Sequence, residues 1–99
     1  QNSFYQDKEK TFRYLYEKYV VPLRYFAIKY INNQSIISDI VQDAFVRLWE
    51  KIQQFKDENE AKAFLYKVVQ HLQDILTYNR RVTGVQVTLH SFFLFIPCQ

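Results

Sequence analysis

Apolar side chains recur at spacings of three and four residues through most of this chain, a period that fits helices and not strands. Phe12, Leu15, Tyr16, Tyr19, Leu23, Phe26, Ala27, Tyr30 and Ile31 fall on one stripe of a helix turning about 100° per residue. Ile37, Ile40, Val41, Ala44, Phe45, Leu48 and Ile52 make a second stripe, and Ala61, Phe64, Leu65, Val68, Val69, Leu72, Ile75 and Leu76 a third. One glycine and two prolines in 99 residues leave few of the sharp turns that a many-stranded sheet requires. The expected fold is all-α, a compact bundle of three to four helices, and a composition 48% hydrophobic and 18% aromatic supplies one small core.

The punctuation between the stripes sets the expected boundaries. Pro22 lacks the N–H that would bond the Lys18 carbonyl, so a kink or break is predicted near Val20 and Val21, giving two stacked pieces. Asn32 and Asn33 close the second piece, and Ser35 is the predicted N-cap of the next helix, with Asp39 near its positive end. Gln54 to Glu60 interrupts the period with four charges and reads as a loop, after which Asn59 caps a helix running to about Asn79. From Val85 the pattern alternates, and Phe92 to Ile96 is a short apolar run before Pro97, so the tail reads as irregular or strand-like. The predicted organisation is a helical domain over 4–81 and a separate tail over 82–99, through which a homodimer could pair.

Charge is distributed unevenly. Residues 1–34 carry six basic and three acidic side chains, residues 35–60 three and six, and residues 61–99 four and one, or +3, −3 and +3. Such a division suits a basic protein partner in the middle and phosphates at the ends, although three ordinary solvated helix faces give the same counts. The lone Cys98 cannot form an internal disulfide and no apolar run approaches bilayer length, so a soluble, reduced, cytoplasmic setting is expected. The absence of methionine points to a fragment. His71 and His90 stand in no metal-ligand spacing, and no nucleophile, base and orienting group can be assembled, so neither cofactor nor enzymatic activity is expected.

On the second stripe's far side, Asp39, Gln42, Asp43, Val46 and Glu50 gather into an acidic face. The run from Ser38 to Lys51 that contains it (SDIVQDAFVRLWEK) closely resembles region 2.2 of the bacterial extracytoplasmic-function sigma factors. Phe12 to Ile31 resembles region 2.1 of that family, and Lys62 to Val69 (KAFLYKVV) resembles region 2.3, beyond a charged loop. The resemblance implies that Asp39, Gln42 and Asp43 bind the coiled coil in the largest subunit of core RNA polymerase, with Glu50 on the same face. Carboxylates and an amide on one helical face suit an Arg-rich partner helix. Without the motif, Asp39 would read as a helix-terminus charge and the others as solvated.

The same resemblance implies capture of single-stranded minus-ten promoter DNA by Lys56, Asn59, Lys62, Tyr66 and Lys67. Lysines neutralise phosphates, asparagine bonds a base edge and an aromatic ring stacks on an unpaired base. Tyr66 reads equally well as a partly buried tyrosine and Lys56 as a solvated loop charge, while Trp49 and Phe55 read as packing residues. The exposed flanks of the third helix are predicted to carry Lys62, Tyr66, Gln70 and Gln73 on one side and Lys67, His71 and Tyr78 on the other. Where the family carries an Arg-Asn pair and then an Arg-rich helix, this chain has Gln70-His71 and Leu72-Gln73-Asp74, a departure that weakens the expectation of duplex recognition. The family's helix-turn-helix region 4 is missing from this sequence, and an anti-sigma protein is a further partner the resemblance allows. The alternative is a degenerate sigma-like interaction module that binds a protein and reads no DNA.

Overall fold

The computed structural model describes residues 4–83, the last five as helix backbone. Three helices make up this part: α1 (Lys8–Ile28), α2 (Gln34–Lys51) and α3 (Glu58–Thr83), with a 3₁₀ turn, Ile52–Gln54, between the last two. No strand occurs among the described residues, and the expected all-α bundle is what forms. The strand-like tail and the dimer through it lie outside the described residues.

α1 starts where Asp7, in extended backbone, accepts the Lys10 N–H at 2.8 Å, with Glu9 in the first turn favouring the positive helix end. It then runs unbroken through Pro22, so the expected two pieces are one helix. The cost of an interior proline is about 3 kcal/mol. Against it stand Leu15 and Leu23, both fully buried, each contributing roughly 1.5–3 kcal/mol by leaving water. Pro22 itself is exposed, so the carbonyl it fails to bond lies on the solvent side and can be satisfied by water.

α1 ends as the N–H groups of Tyr30 and Ile31 both donate to the Ala27 carbonyl at 3.2 Å. The next cap is Asn33, whose side chain accepts the Ile36 N–H at 3.1 Å, and not Ser35, which lies exposed inside the first turn. Asn and Ser cap about equally well, and the residue already in extended backbone takes the position. Asp39 consequently stands beyond the first turn, outside the range in which the helix end favours its charge.

The loop before α3 is shorter than the charge pattern predicts. Asp57 accepts the Glu60 N–H at 3.0 Å while the Glu60 carboxylate accepts the Lys56 N–H at 2.8 Å, a reciprocal arrangement close to a capping box. Asp57, and not Asn59, therefore caps α3, which continues past Asn79 to Thr83.

Leu15, Leu23, Ile37, Ile40, Val41, Phe45, Leu48, Leu65, Val69 and Leu72 are buried where the three helices meet. Edge-on aromatic contacts join α1 to α2, with Phe45 4.8 Å from Tyr16 and 6.0 Å from Phe12 between ring centres. Arg24 of α1 also donates to the Ser38 hydroxyl of α2 at 2.9 Å. This core holds the outer faces of α2 and α3 in fixed orientation.

Candidate functional site

The outer face of α2 keeps most of its expected composition. Asp39, Gln42 and Glu50 are exposed, and so is Val46, at 49%, in their midst. Gln42 donates its amide to the Tyr16 hydroxyl at 3.1 Å, which fixes the side chain and leaves its oxygen as an acceptor. Asp43 departs from expectation: it is buried, 7% exposed, and paired within the helix to Arg47 at 3.2 Å. Its Oδ1 has no hydrogen-bond partner, and burial raises its carboxyl pKa above the usual range despite the opposing Arg47 charge. A helical wheel places Asp43 only about 40° from Asp39, but toward the Arg47 edge, where packing and not angle decides exposure.

Trp49 adjoins this face. Its ring stands edge-on to Phe12 at 5.3 Å and the Lys8 ammonium lies 4.4 Å from its centre, yet it remains 39% exposed. It packs, as expected, and also contributes apolar surface beside Val46. Phe55 packs as expected too, 5.2 Å from Phe64.

Lys56, Asn59, Lys62 and Lys67 are all exposed, whereas Tyr66 is half-buried with its ring edge-on to Phe26 at 5.1 Å. Helical spacing puts Asn59, Lys62 and Tyr66 on one flank of α3, of which Tyr66 meets α1 through Phe26. Lys67, five residues beyond Lys62, is turned away from it by about 140°. The five therefore form a strip that crosses the helix and do not cluster on one face.

Gln73, expected on the exposed flank, is 1% exposed; its amide donates to the Ala27 carbonyl at 3.1 Å and its Oε1 has no hydrogen-bond partner. The Gln73 amide thus adds a side-chain donor to a carbonyl that already accepts the Tyr30 and Ile31 N–H groups at the end of α1. Gln70 is half-buried and donates to Asp74 at 2.9 Å.

One polar cluster had no counterpart in the sequence reading. Glu58, the first residue of α3, receives three donors from α1: the Tyr14 hydroxyl on Oε1 at 2.7 Å, and the Tyr19 hydroxyl and Lys18 ammonium on Oε2 at 2.5 and 2.6 Å. Lys18 also donates to the Tyr14 oxygen at 3.1 Å. Lys18 and the two hydroxyls hold the Glu58 carboxyl down at about 2. Burial, then the hydrogen bond to Glu58, pushes the Tyr19 phenol up to about 12, and the bond to Glu58 raises Lys18. A cavity of about 300 Å³ lies alongside, lined by Phe4, Gln6, Lys10, Thr11, Tyr14 and Glu58. Tyr14 and Lys18 stand four apart in the sequence, a spacing that hints at a shared site, but nothing local identifies which acid of the charged loop meets them.

Among the described residues no helix is long and apolar enough to cross a membrane, and no group of His, Cys, Asp and Glu side chains could hold a metal ion. The described part is thus a small helical module with an exposed acid-and-amide face on α2 and the exposed side chains of Lys56, Lys62 and Lys67 just before and along the start of α3. The family model for sigma-70 region 2 matches residues 15–84, from within α1 to the end of α3, and the chain belongs to that family. Its domains bind core RNA polymerase and act in promoter melting, without enzymatic chemistry, and that is the general role of this domain. No curated protein and no solved structure matches the chain.

Proposed function

We propose that this domain comes from an extracytoplasmic-function sigma factor working in the bacterial cytoplasm, and that it docks on the coiled coil of the polymerase's largest subunit through the outer face of α2. The observation that carries the reading is the joint exposure of Asp39, Gln42 and Glu50 around Val46. An apolar centre with a polar rim is the arrangement of productive interfaces, with the rim charges setting orientation and partner choice. Asp43 supports that face from within through Arg47 and is not itself a contact. Retention of core polymerase on the immobilised chain, weakening as salt rises, is the expected result; no retention at low salt contradicts the docking role.

The strip Lys56, Asn59, Lys62, Tyr66 and Lys67 then takes the displaced single strand of the minus-ten element. Lysines follow the phosphates and the half-buried Tyr66 ring takes an unpaired base by stacking, so that strand capture supplies the free energy of melting. Titration with a fluorescent single-stranded minus-ten oligonucleotide tests this. Affinity that falls with salt and on replacing Lys62 and Lys67 supports it; indifference to both contradicts it.

A second reading, a sigma-like module that binds a protein and reads no DNA, is favoured by the burial of Gln73 and by Asp74 where the family carries basic residues. Core-polymerase retention with no single-stranded DNA binding would select it. An anti-sigma protein would compete for the α2 face in either case, and the tail that follows α3 is the segment proposed for a homodimer contact.

A further inference from the structure

We propose that Glu58 is a positioning residue for strand capture: by anchoring the head of α3 to α1 it fixes where Lys56 and Asn59 meet the DNA. The inference rests on the DNA reading above. Glu58 stands two residues after Lys56 and one before Asn59, where α3 emerges from the short segment Phe55, Lys56, Asp57. Two polar bonds there, Asp57 to Glu60 and Glu60 to Lys56, close the segment on itself. The bonds from Tyr14, Lys18 and Tyr19 instead reach across 39 to 44 residues of sequence to α1. Two of them are charge-assisted at the carboxylate from neutral hydroxyls and the third is an ion pair, so three converging donors give the anchor its direction.

Simple electrostatics and positioning predict opposite signs for one substitution. A carboxylate between two DNA-facing residues repels phosphates, and it occupies Lys18, a cation that could otherwise attract them. Glu58→Gln removes the negative charge and frees Lys18, so charge counting alone predicts tighter binding of single-stranded DNA. Positioning predicts looser binding, because the amide replaces the ion pair and part of the hydrogen-bond set with weaker contacts and lets the segment wander.

The test is a fluorescence-anisotropy titration of the full chain with a short single-stranded oligonucleotide, comparing wild type, E58Q and Tyr14→Phe, alone and combined with Asn59→Ala or Lys67→Ala. E58Q is expected to lose about three- to tenfold in affinity, the value of one or two polar contacts, and Y14F less. The loss should shrink when Asn59 is already replaced, since there is then less to position, and persist when Lys67 is replaced, since Lys67 lies on a different side of α3. A fold defect would reduce binding equally in both backgrounds, and Y14F, which alters an exposed residue, keeps the test open if E58Q unfolds. Unchanged or tighter binding by E58Q, or equal losses in the two backgrounds, overturns the inference while leaving the DNA reading intact. Failure of the wild type to bind removes the DNA reading, and the inference with it.

Discussion

Two carboxylates in this domain respond to acid in opposite directions. The Glu58 carboxyl is depressed to about 2 from an ordinary 4.5, so the folded state prefers it ionised. Its stabilising contribution is complete above pH 4.5 and is lost as pH falls through that range toward 2. Thermal melts of wild type and E58Q between these limits should therefore converge as pH drops, and parallel curves would show that Glu58 adds nothing that depends on its charge. The raised carboxyl of Asp43 works the other way, favouring the fold when protonated and costing stability once ionised. Its burial with an unpartnered oxygen makes Arg47 its necessary neighbour. Arg47→Ala should destabilise the domain by about 1–3 kcal/mol at neutral pH, the penalty for a partly buried charge deprived of its partner, whereas Asp43→Asn should be close to neutral. Urea denaturation of the two variants checks the asymmetry, and a larger loss from D43N would contradict it.

At the scale of the helices, α1 is the informative case. Its core stripe holds one phase from Leu15 through Ala27 across Pro22, and burial on that side preserves a helix that local propensity would interrupt. Pro22→Ala, at an exposed position, restores a backbone bond but also loosens the unfolded chain, so a net gain of about 1–2 kcal/mol is expected from the two opposing effects. A lower midpoint in thermal denaturation would mean that the proline serves a local shape. The stripes of all three helices were legible in the sequence because a period of 3.6 residues needs only a list of apolar positions. The caps were less so: Asn33 and Asp57 each stand two residues from a competing capper, Ser35 and Asn59, and capping preference does not separate them. The inward turn of Gln73 was hidden because it depends on the end of α1, 46 residues earlier.

For the molecule as a whole, the outer side of α2 was largely legible and one of its residues was not. Asp39, Gln42 and Glu50 are where the pattern puts them, while Asp43 is buried by packing against the rest of the domain, which a wheel drawn about the α2 axis alone cannot represent. The Glu58 anchor was invisible for the same reason on a larger scale, since its partners come from a different helix. The measurement that bears most directly on the account is the affinity of core RNA polymerase for wild type, the double variant Asp39→Ala with Gln42→Ala, and D43N. The double variant is predicted to bind about tenfold or more weakly, from two lost polar contacts at a charged interface, with D43N close to wild type. Equal affinity of wild type and the double variant, or a loss confined to D43N, would contradict docking through this face.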